Sequence, residues 1–356
     1  MSSLLRDLFS PRKTTAPTKV KKVVGVDIGK TSIKVVEIED RDDVLTLTTY
    51  GEIQTGPYAN SPIGKVTNLS AKAEQSAVID LFRESTVGAK TAVFAVPLAS
   101  SFVTVIQLPT LEEETDVSAR VQVEARKYIP IPIKDVTLDW AEIAATEKRP
   151  EYKEVLLAAI QNDTLTRLRT LMERTNLANQ PTEIECFSVL RTALTASQSL
   201  SAVLDMGGSS IKLYIARDGL LEQIHRVQVG GAMATEKIAE ALKIDFEEAE
   251  IRKRTDVSAD ITRVHSQVFE RPLQECKRFM AEYESTHNAS IGSVSLTGGV
   301  SLFNGIEGYV GQVLERDIEI ATPFTKIAYP AFMEDVVQEI GPSFSIALGA
   351  AMRLYE

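Results

Sequence analysis

Little in this chain suits a metal centre or a disulfide framework. Its 356 residues hold 2 cysteines, 3 histidines and 1 tryptophan. Cys186 and Cys276 lie in apolar-periodic segments without nearby ligand partners, so they read as buried reduced thiols of a cytoplasmic protein. His225, His265 and His287 show no His-to-His or Cys-to-His spacing that suits a metal and read as structural or solvated. No run approaches the roughly 18 apolar residues of a membrane span, and the N-terminus lacks the apolar core of a secretory signal, which predicts a cytoplasmic location. Positive charge is also short: 39 Lys and Arg stand against 49 Asp and Glu, a net charge of -10. That balance disfavours nucleic acid as the main partner, because phosphate neutralisation needs a clustered basic face. The exception is the start, where Arg6, Arg12, Lys13, Lys19, Lys21 and Lys22 face one acid, Asp7. Leu4, Leu5, Leu8 and Phe9 share a helical face there, ahead of a Pro/Thr/Lys linker. Residues 1–21 read as a flexible basic tail, the alternative being a weak electrostatic contact with a membrane or partner.

What the chain does hold is a repeated hairpin. Val23 to Val26 is a β-branched run that feeds a turn with Asp27 and Gly29, after which apolar and polar residues alternate through Ile38. The pattern returns from Ser201 to Ile215, with Asp205, Gly207, Ser210, Ile211 and Lys212 in register with Asp27, Gly29, Ser32, Ile33 and Lys34. A chain this long exceeds the roughly 250 to 300 residues at which one core stops growing, so two lobes are expected, each opened by one hairpin.

Between the hairpins the periodicity predicts a third strand over 44–50, a loop over 51–70, a helix over 70–84 and a short buried strand over 91–96. Residues 101–178 read as an inserted, self-sufficient α+β module. Its expected order is a strand at 102–108, a helix over 112–128 with Val117, Val121, Ala125 and Tyr128 in one stripe, strands at 136–143 and 152–160, and a helix capped by Asp163. Residues 183–187 and a helix through Leu190 and Leu194 resume the first lobe. In the second lobe, helices are expected after Gly230 and Gly231 and after Asp245, with Glu248 in a capping arrangement. A long helix over 258–283 is expected to break at Pro272, followed by a strand at 294–296 and helices at 306–314 and 344–354. The division expected is 22–100 with 179–199 and 343–356 as the core of lobe one, and 101–178 as the insertion. Residues 200–230 with 291–342 form the core of lobe two, and 231–290 its second subdomain.

An Asp-x-Gly-x-x-Ser turn brings exposed backbone N–H groups and a hydroxyl close to a phosphate, while the glycine removes the Cβ that blocks approach. Its aspartate can hold Mg²⁺ through water, since this ion prefers oxygen ligands and keeps much of its hydration shell. Two such turns face to face, Asp27 with Asp205, make a clamp for one polyphosphate, and Gly298-Gly299 after a strand supplies a further close-approach loop. Either turn alone is as easily an ordinary β-turn.

These motifs resemble the actin-like ATPase superfamily. Asp27, Gly29, Lys30, Thr31 and Ser32 match its first phosphate loop, with Lys34 beyond, and Asp205, Gly207, Gly208, Ser209 and Ser210 match its second. Leu296 to Val300 with Asn304 and Gly305 match its adenosine motif. An insertion of this order in lobe one resembles the FtsA and PilM families, and the stretch Val123 to Pro132 with Val136, Leu138 and Asp139 resembles the PilM pilus-assembly family. The resemblance implies a two-lobed α/β, ribonuclease H-like repeat fold that binds ATP and Mg²⁺, with Gly298, Gly299, Val300 and Asn304 at the adenosine. It also implies that Glu185 orients an attacking water near Asp205, and that Glu250 and Lys253 border the ribose and base. Taken as residues alone, Glu185 could equally be a helix-start acid and Glu250 and Lys253 a solvated face. Lys30 replaces a small residue of the first loop and points either to the phosphates or to solvent.

The function this implies is an ATP-binding assembly protein of a type IV pilus or related secretion machine, at the inner face of the inner membrane. Its partner is the cytoplasmic N-terminal peptide of a PilN-type inner-membrane protein, and self-association is a further expectation of the family. Beyond Glu185 and the two aspartates little provides for phosphoryl transfer to water, so hydrolysis is expected to be slow or absent. Two other readings compete. An FtsA-like division protein polymerising at the membrane carries a C-terminal anchor helix, whereas this sequence stops at Arg353-Leu354-Tyr355-Glu356. A small-molecule kinase needs a general base by the acceptor hydroxyl, and the Asn162-Asp163 pair is better explained as a helix cap.

Overall fold

The computed structural model describes residues 21–110, 117–143, 152–177, 182–194, 199–256 and 258–355. The basic stretch 1–20 and the expected helix start at 112–116 lie outside these residues. Among the described residues no helix is long and apolar enough to cross a membrane.

Strands β1 (Lys22–Ile28) and β2 (Ser32–Arg41) form the first hairpin, paired antiparallel with Asp27 opposite Lys34. β3 (Val44–Gln54) runs four residues beyond the sequence expectation, since Gly51 to Gln54 keep pairing with β2 before the loop begins. Helix α1 (Ala71–Glu84) starts where the Ser70 side chain accepts from the Ala73 N–H, and β4 (Thr91–Val96) follows, parallel to β1. A short 3-10 turn, Leu98–Ser100, leads into the insertion.

The insertion comprises β5 (Ser101–Pro109), α2 (Val117–Ala125), β6 (Val136–Ile143), β7 (Tyr152–Gln161) and α3 (Asn162–Arg174), its three strands ordered β5-β7-β6. Ile106, Leu108, Val121, Ala125, Val155 and Leu157 build a small core of its own. The module is not self-sufficient, however. Leu165, Leu168, Leu171 and Met172 of α3 are buried in the lobe-one core with Ala77, Val78 and Leu81 of α1, because that stripe is the width of a helix seeking a larger apolar face. Nor does Asp163 cap α3. Gln161 holds the cap position without a side-chain bond, and Asn162 instead accepts from the Thr137 hydroxyl at 2.7 Å and donates to the Lys134 carbonyl at 3.0 Å.

β8 (Glu183–Ile184) and α4 (Glu185–Ala193) return to lobe one, completing a sheet ordered β3-β2-β1-β4-β8. Lobe two repeats the plan with β9 (Leu200–Met206), β10 (Ile211–Arg217) and β11 (Leu220–Val227). Helices α5 (Gly231–Leu242), α6 (Phe246–Thr255) and α7 (Ala259–His287) follow, then β12 (Val294–Thr297), α8 (Ile306–Leu314) and β13 (Ile318–Ile320). Its sheet order, β11-β10-β9-β12-β13, is the same, and Asp205 pairs with Lys212 as Asp27 does with Lys34. The repeat read in the sequence is therefore a repeat of topology.

Pro272 does not break α7. Val268, Phe269, Leu273, Cys276, Met280 and Tyr283 are buried on both sides of it, and that packing overrides the helix penalty of roughly 3 kcal/mol that proline carries. Short helix α9 (Glu334–Ile340) and closing helix α10 (Ser345–Met352) finish the chain. α10 returns to β1, and the approach is a backbone one: a Cβ on Gly25 would lie 1.9 Å from the Ala347 carbonyl oxygen. Beside it Glu183 is buried among Arg191, Ser188 and Arg353, which ties β8 and α4 to the end of the chain.

Candidate functional site

Both Asp-x-Gly turns close the same way. The Gly29 N–H donates to the Ser32 carbonyl and the Gly207 N–H to the Ser210 carbonyl, each at 3.0 Å. A Cβ on Gly29 would stand 2.8 Å from the Ser32 oxygen, and one on Gly208 would stand 2.5 Å from the Thr31 hydroxyl. Glycine therefore lets the turns tighten and lets the two loops touch, Thr31 against Gly208. The carbonyls of Gly207 and Gly208 accept from Gly231 and Ala232, which sets the N-terminus of α5 against the second loop.

These turns form the floor of a cleft of about 990 Å³ between the lobes. Asp27, Gly29, Lys30, Thr31, Ser32 and Lys34 line it from lobe one. Asp205, Gly207, Gly208, Ser209 and Ser210 face them, Gly298, Gly299, Val300 and Asn304 lie along the far wall, and Glu185, Glu250 and Lys253 complete it. The residues expected to hold nucleotide and cation thus meet in one cavity, while Gly305 of the adenosine motif does not line it. Gly298 holds a φ of +88°, and a Cβ there would stand 2.5 Å from an Asp205 carboxylate oxygen, so glycine is required on both counts.

Asp27 is half-buried, and among the described residues no hydrogen bond reaches its carboxylate. Burial pushes its pKa up to about 6, against the pull of Lys34 and with the push of Glu185. A desolvated, unpartnered carboxylate at the floor of a glycine-walled cleft is a fit for a hydrated divalent cation. Among the described residues there is no group of three or more His, Cys, Asp or Glu that could hold a metal by itself. Lys34 donates to the Ser32 hydroxyl at 2.7 Å and lies 3.1 Å from Glu52. Lys30 is exposed, while its carbonyl accepts from Thr55 and Thr67 and so pins the 55–67 loop to the first turn.

The second turn is arranged differently. Buried Lys212 bridges Asp205 at 3.1 Å and Glu185 at 2.9 Å. Burial works against its charge, but the two carboxylates outweigh it and hold the ammonium above the ordinary lysine range. The other Glu185 oxygen accepts the Leu98 N–H at 2.7 Å, so both of its oxygens are engaged. In the sequence Lys212 stands out only as a member of the repeat. Its part in the cleft depends on Glu185, brought in from another lobe by α4, and the hairpin itself carries no sign of that.

At the far wall α6 starts at Asp245, whose carboxylate accepts the Glu248 N–H as the capping pattern predicts. Glu250 and Lys253 are not a solvated face: both are buried, paired to each other and to the Thr235 hydroxyl, with Lys253 5.3 Å above the Phe303 ring. Burial lowers the Lys253 pKa to about 8 despite Glu250. Arg254, Thr67, Ser345 and Arg167 also line the cleft and were not legible as site residues, since each arrives from a separate element.

Among solved structures, the chain is similar to a PilM–PilN type IV pilus biogenesis complex at 25% identity and a TM-score of 0.81, covering 95% of this chain and 100% of that one. The ethanolamine utilization protein EutJ of Carboxydothermus hydrogenoformans matches at 16% identity and 0.57, over 98% and 93%. MreB5 of Spiroplasma citri, solved bound to AMPPNP, matches at 10% and 0.51, over 93% and 95%. The last two speak to the fold alone, which is the two-lobed actin-like ATPase fold. A family model for the type IV pilus assembly protein PilM matches residues 25–355, and the chain belongs to that family.

Proposed function

We propose that this type IV pilus assembly protein binds ATP with Mg²⁺ in the interlobe cleft. We also propose that it holds the cytoplasmic N-terminal peptide of a PilN-type inner-membrane protein, which places it at the inner face of that membrane. The observation that carries the nucleotide reading is the convergence of two identically closed Asp-x-Gly turns and the Gly298-Gly299 loop on one cleft. Asp27 and Asp205 would hold the hydrated cation, the turn N–H groups with Ser32 and Ser210 the phosphates, and Glu250, Lys253 and Asn304 the nucleoside end. The bound cation would neutralise phosphate charge. Partner binding is supported by the similarity to a PilM–PilN complex over nearly the whole chain.

Nucleotide serves here as a conformational ligand more than a substrate. Each Glu185 oxygen already accepts one hydrogen bond, from the Leu98 N–H or from Lys212, so only the remaining lone pairs of a carboxylate tied to a buried ammonium are left to orient a water. Slow or absent hydrolysis is the expectation this supports. Thermal unfolding with and without Mg-ATP tests the nucleotide, with a gain of about 2.7 kcal/mol expected at a hundredfold excess over Kd, lost in Asp205→Asn. Fluorescence anisotropy of a PilN N-terminal peptide tests the partner. Absence of both responses in the wild-type protein overturns the reading.

A further inference from the structure

The inserted module springs from the 3-10 turn Leu98–Ser100, and one side chain joins that turn to the second phosphate loop. The path runs from Asp205 through the Lys212 ammonium, 3.1 Å away, to Glu185 at 2.9 Å, and from the other Glu185 oxygen to the Leu98 N–H at 2.7 Å. Glu185 and Lys212 are buried, and the two bonds of the Lys212 ammonium are buried with them, while the bond to Leu98 is part-buried. Three residues past Leu98 the chain is already in β5, which pairs with β7 along its whole length, from Ser101 opposite Ile160 to Pro109 opposite Tyr152.

We infer that Glu185 is a positioning residue that couples occupancy of the phosphate loops to the root of the inserted module. An ammonium has three donors, and Lys212 gives two of them to carboxylates. A polyphosphate seated on the Asp205 turn supplies an acceptor for the third. The string from Asp205 to Leu98 is then held from end to end, and the root of β5 is stiffened. The inference rests on the nucleotide reading above, and goes beyond it in giving the cleft a route to another part of the molecule.

Amide hydrogen exchange on the full chain tests it, with four proteins: wild type, Glu185→Gln and Leu98→Pro, each with and without Mg-ATP, and Glu185→Ala without nucleotide. Leu98→Pro removes the donor while leaving the charges of the cleft in place. The site tolerates it, since Leu98 is the first residue of its turn and Pro97 has the extended ψ of 142° that a residue before proline requires. A thermal-shift titration first establishes saturation. If wild type does not respond to Mg-ATP at all, the nucleotide reading falls and the coupling falls with it. With wild type saturated, exchange at 98–109 and 152–161 is expected to slow by at least about fivefold, the low end of ordinary allosteric coupling. That slowing is expected to be lost in Glu185→Gln and in Leu98→Pro while Leu98→Pro still titrates with ATP. Without nucleotide, Glu185→Ala is expected to speed exchange of the Leu98 amide. Unchanged or faster exchange in saturated wild type, or slowing that survives in both Glu185→Gln and Leu98→Pro, overturns the coupling and leaves nucleotide binding standing.

Discussion

Asp27 has a carboxylate that burial holds in an unfavourable charged state at neutral pH, with its pKa near 6 against an ordinary value of 3.8. A raised carboxyl pKa means that the folded chain binds the proton more tightly than the unfolded one. Stability at this group therefore rises as pH falls from about 6 toward 3.8 and is reduced above 6. Asp27→Asn is thus expected to raise the melting temperature of the nucleotide-free protein at pH 7.5 by about 1–2 °C, the response of a chain this long to roughly 1 kcal/mol relieved, while weakening stabilisation by Mg-ATP. A variant less stable than wild type at that pH contradicts this. His265 runs the other way. It is stacked on Phe303 at 5.4 Å with Nε2 buried and unpartnered, and burial followed by the nearby Lys253 lowers its pKa to about 4. Between pH 6.5 and 4 the unfolded chain takes up a proton that the folded one refuses, so this contribution is full above 6.5 and lost toward 4. Melting curves at pH 7.5, 6 and 5 are expected to show a smaller drop for His265→Phe than for wild type.

Among the elements, α6 is the one whose start signal and whose function meet. Asp245 caps it, and one to two turns later it delivers Glu250 and Lys253 to the cleft. Asp245→Ala is expected to lose about 1 kcal/mol, seen as a lower urea midpoint with an unchanged slope. This start was legible because capping is local chemistry, written within four residues. The fate of α3 and of Pro272 was not, because each is decided by what packs against the helix. The α3 stripe finds the lobe-one core in place of the module's own, and the apolar face of α7 holds the helix together across a residue that lacks an N–H. The turns at Asp27 and Asp205 were legible for the same reason as the cap. Lys212 as a cleft residue was not, since its role is conferred by Glu185, which reaches it only after the whole insertion has been passed.

At the scale of the molecule, two lobes of the same sheet order meet where side chains are missing. Gly208 admits Thr31, and Gly64, at a φ of +85°, lies against the Glu250 carboxylate, so a surface loop of lobe one reaches the second subdomain of lobe two. The doubled sheet was readable in the registered repeat, but these points of contact were not, because a glycine shows in sequence without its neighbour. Within lobe one, Gly25 makes a close approach of the same kind. Gly25→Ala is expected to destabilise by roughly 1–3 kcal/mol, measured as a reduced denaturation midpoint, since the atoms its Cβ would meet belong to the α10 backbone and cannot swing aside. The same contact sets an order of events during synthesis. β1 is among the first described residues to leave the ribosome, yet the face around Gly25 is covered by residues 345–352. At translation rates of about 5–20 residues per second, that face waits on the order of a quarter of a minute to a minute for its cover. For that interval the nascent first lobe has an apolar sheet face open to chaperones, because the helix that covers β1 is made after the sheet of lobe two.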